Sequence, residues 1–382
     1  MIINEIYDLN IFIDDANIFE IPQCILLGAS IFESITHAIP TCSLKVTLPV
    51  GWINTRSIVD GTVIRFDIKS ENINFYESLY FRLFNINNFT IEANFCTLEL
   101  TGVLDFMEGI REANPYNLYG NSSDVVKNIA KQNALKTDID NTNDTQLWIA
   151  GENNVYQFLS IIAQHGWINE TSAMFWAFDR HKILLYKNLT SILRNRSDKI
   201  WTFTQDQYPD IKNKKYVYTN VRGGVLSGYE NIKKEGYGGK DHYFDLLSYT
   251  WKEVHANKTI AESEALNLDK EQSKGLAQNW YSFDVGNFHK NYWLAKKQNA
   301  RLLALYSTYV AIECQYLMNY RLGQIVNFNF TDARDPQTKS RFASGTFIIE
   351  EININITNTD ITTDLKLVMQ GINGQVITRE TY

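Results

Sequence analysis

A chain of 382 residues, 45% apolar and 13% aromatic, is long enough for two or three domains and apolar enough to give each a buried core, which excludes a disordered protein. Its net charge of −7 comes without a basic patch interleaved with aromatics, so sequence-specific nucleic-acid binding is not expected. The amino terminus MIINEIYDLNIFIDD has no basic n-region and no apolar run nears the roughly 20 residues of a membrane span, so a signal peptide and a membrane span are not expected and folding in a cytoplasm is.

Residues 41–48, TCSLKVTL, alternate strictly, with Cys42, Leu44, Val46 and Leu48 on one face, as in a half-buried strand. GTVIRFDI (61–68) repeats the pattern with Ile64, Phe66 and Ile68 in phase. LYFRLFNI, NFTIEA and FCTLELTG follow, and the pair Asn87-Asn88 reads as a turn between the first two. Residues 1–103 are thus expected to be an all-β domain of short antiparallel strands, a barrel or a sandwich. Four scattered cysteines, Cys24, Cys42, Cys96 and Cys314, form no CxxC pair and read as small buried hydrophobes.

From about residue 104 the period changes. SSDVVKNIAKQNAL reads as a helix capped by Ser122 or Ser123, with Val125, Val126, Ile129 and Ala130 as its apolar stripe. A second helix spans about 154–165, with Val155, Phe158, Leu159 and Ile162 on one face and Gly166 as its C′ stop. MFWAFD and KILLYKN then form a strand pair, making 104–199 a small α+β unit. Residues 200–232 return to strands with KKYVYTNVRG. Residues 233–308 read as a second insertion packing with the first: a loop at 236–240 (GYGGK), a helix at 258–275, an aromatic run at 280–293 and a helix at about 290–307. The strands YVAIECQY, GQIVNFNF, GTFIIEEININI and TDLKLVMQG close the chain, so 200–232 and 309–376 together are expected to form a second β-domain.

The two β-regions share an order. A strand led by Gly61 and carrying Phe66 is followed by a loop, a long strand, an Asn-rich turn and a strand ending in Gly102. A strand led by Gly323 and carrying Phe328 is followed by the same series ending in Gly371. The order reads as a divergent duplication of one β-domain. The competing reading is chance, since alternating strands resemble one another cheaply. A duplicated domain inside an oligomer of point-group symmetry doubles the apparent order of the ring, so three chains would present six similar units.

Catalytic constellations are missing from the pattern. The six histidines (37, 165, 181, 242, 255, 289) show no zinc-ligand spacing, GYGGK is followed by Asp241 where a phosphate loop needs Ser or Thr, and no GxSxG elbow occurs. Glu350 and Glu351, adjacent in a strand, should face opposite ways and so form no carboxylate dyad. The run WYSFDVGNFHKNYW is readable as a sugar-stacking platform, with Trp280 and Trp293 as its test residues, or as packing for the helix after it. No enzyme, no cofactor and no metal is expected.

The middle of the chain carries a further pattern: the helix SSDVVKNIAKQNAL, the segment TQLWIAGENNVYQFLSIIAQHGW, and the pair MFWAFDRHKILLYKN. With the closing runs NYWLAKKQNARLLALYSTYVAIECQYLMNYRLGQIVNFNF and GTFIIEEININITNTDITTDLKLVM, it resembles the phage late-control and baseplate-hub family over about residues 30–372. That family is shared by the central hub of contractile phage tails and the hub portion of type VI secretion spike proteins. The resemblance implies a fold mainly of β-strands, with two duplicated antiparallel tube-type barrels and inserted α+β domains. It implies a homotrimer, a structural virion protein of the tail baseplate assembled in the host cytoplasm. Such a trimer adapts the hexameric tail tube to a trimeric spike around a channel for DNA, which an acidic lumen would let slide. Its implied partners are a tail spike protein, a tail tube or tube-initiator protein, and the tape measure protein. Type VI spikes continue into a β-helical needle; here the expectation is a hub that recruits its spike and carries no lysozyme-like segment. A hub-like adaptor of a non-contractile tail and a carbohydrate-binding or cell-wall-active module remain as alternatives.

Overall fold

The computed structural model describes residues 8–70, 75–105, 117–169, 172–194, 201–204, 215–225, 239–245, 248–255, 278–283, 288–295, 308–314, 320–332, 335–339 and 344–369. The first β-region contains β1 (Asp8–Ile13), β2 (Ala16–Asn17), β3 (Ile25–Ser34), β4 (Thr41–Pro49), β5 (Val63–Ser70), β6 (Phe75–Glu92) and β7 (Phe95–Leu104). The α+β insertion holds β8 (Asn117–Gly120), β9 (Lys136–Ile139), β10 (Gln146–Ile149), β11 (Met174–Phe178) and β12 (Ile183–Asn188), with helices Ser122–Gln132, Val155–His165 and Leu189–Arg194. β13 (Trp201–Thr204), β14 (Lys215–Val217) and β15 (Asn220–Val225) follow. A small sheet comes next, of β16 (Gly239–Asp245), β17 (Thr250–His255) and β18 (Gln278–Phe283). The described residues close with β19 (Thr308–Cys314), β20 (Ile325–Phe328), the short pair β21 (Thr331–Asp332) and β22 (Asp335–Lys339), β23 (Gly345–Ile356) and β24 (Ile361–Met369).

The protein is mostly β, and its main sheet is a curled antiparallel half-barrel. Two five-strand paths supply ten of its 14 strands, with β1 and β2 beyond β5 and β13 and β14 beyond β20. The first runs β5·β6·β7·β4·β3 and the second β20·β23·β24·β19·β15, every pairing antiparallel. The paths match in detail. Gly61 N–H donates to Leu83 O and Leu83 N–H to Thr62 O; Gly323 N–H donates to Ile349 O and Ile349 N–H to Gln324 O, all at 2.8–3.0 Å. Both glycines hold positive φ, 87° and 74°, which side chains resist. Phe66 meets Phe81 edge-on at 5.9 Å, and Phe328 meets Phe347 edge-on at 6.0 Å, all four rings fully buried. A β-bulge follows at matching places, Leu83/Asn85 on β6 and Ile349/Glu351 on β23.

The alternation of TCSLKVTL is realised in β4, where Cys42, Leu44, Val46 and Leu48 are buried. Asn87-Asn88 is not a turn. β6 runs unbroken for 18 residues, and a second register shift between Ile86 and Asn88 absorbs the extra asparagine; the turn falls at Ala93, with φ 52°. A bulge adds a residue without reversing the chain, and a pair of asparagines suits either. In the pairing register, Gly102 sits opposite Leu83, and the matching position opposite Ile349 is Leu367. Gly371 lies outside the described residues.

In the insertion, neither Ser122 nor Ser123 is the N-cap. Asn121 holds that place, and the helix's first N–H groups are satisfied from outside: Ser122 N–H donates to Asp144 Oδ1 (2.8 Å) and Ser123 N–H to Thr142 Oγ1 (3.0 Å). The second helix starts with a capping box, Asn154 with Gln157. Gly166 ends it in extended geometry (φ −63°, ψ 141°), not left-handed as a C′ glycine would be. What requires glycine there is space, since a Cβ would lie 2.0 Å from Tyr186 Oη.

Gly239 and Lys240 of GYGGK begin a strand, β16, paired with β17 and β18, so that stretch is not simply a loop. The helix expected at 258–275 lies outside the described residues. Of the helix expected at about 290–307, Tyr292–Ala295 is helical and 296–307 lie outside.

Candidate assembly interface

The two paths join edge to edge. β3, the last strand of the first path, pairs antiparallel with β23 of the second, from Glu351↔Ser34 to Ile356↔Ala29. One edge of β23 therefore serves two partners: its first half pairs β20 and its second half pairs β3. The result is one continuous sheet of 14 strands. Ile352, Ile354 and Ile356 of β23 are buried beneath the junction together with Ile31 of β3.

Buried polar groups pin this junction. Glu350, the bulge residue of β23, accepts from Ser34 Oγ (3.2 Å) and Thr36 Oγ1 (3.0 Å) of the first path, and Lys366 Nζ of β24 lies 2.8 Å from its other oxygen. Lys366 also reaches Glu351 Oε1 at 2.9 Å. Simple alternation would have split Glu350 and Glu351 between the two faces; the bulge brings both to one lysine. Burial pushes the Glu350 carboxyl above its ordinary value, and Lys366 pulls against that.

Arg180, in the tight turn between β11 and β12, is the second pin. Its Nη1 donates to Glu33 Oε1 on β3 (2.5 Å) and to Tyr320 O ahead of β20 (3.1 Å), and its Nε donates to Glu77 Oε1 on β6 (2.7 Å). Its backbone N–H donates to Glu33 Oε2 at 2.8 Å, and His181 Nε2 lies 3.0 Å from Glu77 Oε1. Burial raises the Glu33 carboxyl against the pull of Arg180. For Glu77, burial pulls the same way but Arg180 and His181 outweigh it and hold the carboxyl low. One guanidinium thus ties the first path, the insertion and the second path together. Nothing in the sequence DRHK singles Arg180 out, and the two glutamates buried with it, Glu33 and Glu77, are far from it in the chain.

Residues 288–292 pack against the end of the helix Val155–His165. His289 Nε2 donates to His165 O (3.0 Å) and its Nδ1 accepts from Asn291 N–H (3.2 Å), which defines a neutral ring; burial holds its pKa low. Tyr292 stacks on His165 at 3.8 Å and on Phe288 at 3.8 Å. This part of the aromatic run is packing. The side chains of Trp280 and Trp293 lie outside the described residues. Among the described residues no group of three His, Cys, Asp or Glu side chains is placed to hold a metal ion, and no helix is long and apolar enough to cross a membrane.

No protein-family model matches the sequence, and no curated protein matches it. Solved structures do match. A 43 kDa tail protein of prophage MuSo2 from Shewanella oneidensis superposes with a TM-score of 0.58 at 8% identity, covering 95% of this chain and 98% of the other. A tail protein from Neisseria meningitidis MC58 superposes with a TM-score of 0.57 at 10% identity, covering 96% and 98%. The fold is that of these tail proteins along nearly the whole length of both.

Proposed function

We propose that the chain is a structural component of a phage tail, the central hub of the baseplate, acting as a homotrimeric ring with a channel for DNA. The observation that carries this reading is the pair of matching strand paths fused into one curled sheet through β3 and β23. Two copies of a half-barrel in one chain give three chains the outline of a six-fold ring while the assembly keeps three-fold symmetry. Such a ring can continue a hexameric tail tube on one face and seat a trimeric spike on the other. The likeness to two tail proteins over nearly their full lengths supports a place in the virion tail.

The work assigned to the molecule is mechanical. Arg180 and Glu350 sit where the paths and the first insertion meet, as an adaptor under load requires. Tail tube or tube-initiator protein, spike protein and tape measure protein are the partners in this reading, with assembly in the host cytoplasm. The test is the mass in solution by light scattering after gel filtration, followed by electron microscopy. A mass near three times 44.1 kDa and a six-lobed ring about a channel are expected. A chain that stays monomeric at high concentration with tail-tube protein added would refute it.

A further inference from the structure

The match between the two paths breaks at one place. In the second path, Ile352, Ile354 and Ile356 are each 1% exposed, and β3 pairs that edge of β23. The residues at the matching register of β6 are Ile86, Phe89 and Ile91, opposite Leu100, Leu98 and Cys96 of β7. They are 38%, 65% and 60% exposed. Among the described residues, β6 pairs on that edge with β5 only as far as Arg82, and from Ile86 to Ile91 no strand covers it. The stretch FNINNFTI contains no charge and no proline, the devices by which edge strands resist pairing.

The strand that matches β3 is β15. It pairs β19 as β3 pairs β4, and among the described residues its other edge has no strand partner. Each chain therefore presents one half of the β3·β23 junction at each end of its sheet: an open β6 edge and an open β15 edge. We infer that residues 86–91 of β6 pair antiparallel with residues 221–225 of β15 from a second copy of this chain, repeating between chains the junction that β23 and β3 make within one.

The internal junction fixes the register. Asn353↔Phe32, Ile354↔Ile31, Asn355↔Ser30 and Ile356↔Ala29 translate to Asn88↔Gly224, Phe89↔Gly223, Thr90↔Arg222 and Ile91↔Val221 across chains. The sizes compensate. Phe89 is larger than Ile354, and it falls opposite Gly223 where Ile354 meets Ile31; a Cβ at Gly223 would meet nothing nearer than 3.5 Å, so the ring has room. The contact is head to tail, with different surfaces on the two copies, so it closes into a ring or runs on as a filament. Closure at three chains rests on the function proposed above; the pairing itself does not fix the number.

The test is a disulfide trap combined with mass measurement. Paired antiparallel residues have Cα atoms about 4.5–5.5 Å apart, within reach of a disulfide. The variant Thr90→Cys/Arg222→Cys alters two exposed side chains. Ser30→Cys/Asn355→Cys places the same register pair inside one chain as a control. Under mild oxidation the control is expected to close within the monomer. The Thr90→Cys/Arg222→Cys protein is expected to run as covalent dimer and trimer on a non-reducing gel, and neither single variant should form the trimer. Phe89→Asp, at an exposed position, should keep the far-ultraviolet spectrum of the native chain and lose association. A protein with the mass of a trimer that forms no interchain disulfide while the control closes would overturn the pairing and leave the ring standing. Covalent species longer than three chains would uphold the pairing and overturn closure at three. A monomer under all conditions would overturn both.

Discussion

Replacing Arg180 with Met tests how the sheet and the insertion are held together. The side chains of Arg180, Glu33 and Glu77 are 1–2% exposed, so removing the cation strands two carboxylates in the interior. Breaking a buried pair by deleting one partner costs about 3–5 kcal/mol, most of it the cost of the uncompensated charge. Glu33 keeps the Arg180 backbone N–H and Glu77 keeps His181, which argues for the middle of that range, about 4 kcal/mol. With an unfolding entropy of about 2.1 cal/mol/K per residue over 382 residues, that is a drop in Tm of about 5 °C in differential scanning calorimetry. The pH dependence separates charge from shape. In the variant both carboxyls have folded-state pKa values raised above their unfolded values by burial, so the folded state binds more protons and the deficit should shrink as pH falls from 8 to 5. Arg180→Met combined with Glu33→Gln and Glu77→Gln should recover most of the loss. A loss below about 1 kcal/mol, or one that does not change with pH, would refute the buried-charge account.

Gly166→Ala should cost about 1–3 kcal/mol in denaturant unfolding, since its Cβ would meet Tyr186 Oη at 2.0 Å; Tyr186→Phe in the same chain should restore part of it by removing that oxygen. Phe66→Ala and Phe328→Ala should each cost about 3–5 kcal/mol and by similar amounts, because the two rings occupy the same position in matching paths; a large inequality in urea midpoints would count against that equivalence. Ala at Gly61 or Gly323 should cost about 1–2 kcal/mol through the left-handed backbone alone, measured the same way. His289 has a folded-state pKa below its unfolded value of 6.5, so the unfolded chain takes up the proton first and stability falls progressively as pH drops from 6.5 through the lower folded-state value. The hydrogen-exchange protection factor of the Asn291 amide, which donates to His289 Nδ1, should fall between pH 7.5 and 5.5, and should not in His289→Asn.

Strand phase was legible because it is a local property. Cys42, Leu44, Val46 and Leu48 face the core since alternate side chains of any strand share a face, and both helix stripes follow from the helical period in the same way. The common order of the Gly61 and Gly323 strands was legible too, since a residue at positive φ and a buried Phe leave their mark at fixed spacing. Bulges were not. At Glu350 one extra residue reverses the phase, turning two adjacent glutamates onto Lys366, and at Asn87 another keeps β6 continuous where a turn was expected.

The sequence by itself determined the phase of strands such as β4, the apolar stripes of the helices Ser122–Gln132 and Val155–His165, and the shared Gly–Phe spacing of the strands led by Gly61 and Gly323. Tertiary structure alone decided that Ile354 lies beside Ile31, that Arg180 is buried between Glu33 and Glu77, and that Ile86, Phe89 and Ile91 of β6 stay uncovered while their counterparts on β23 do not. The physical reason is that side-chain period specifies which face of a strand is apolar. Which edge it offers, and to whom, depends on backbone groups that every residue but proline carries alike.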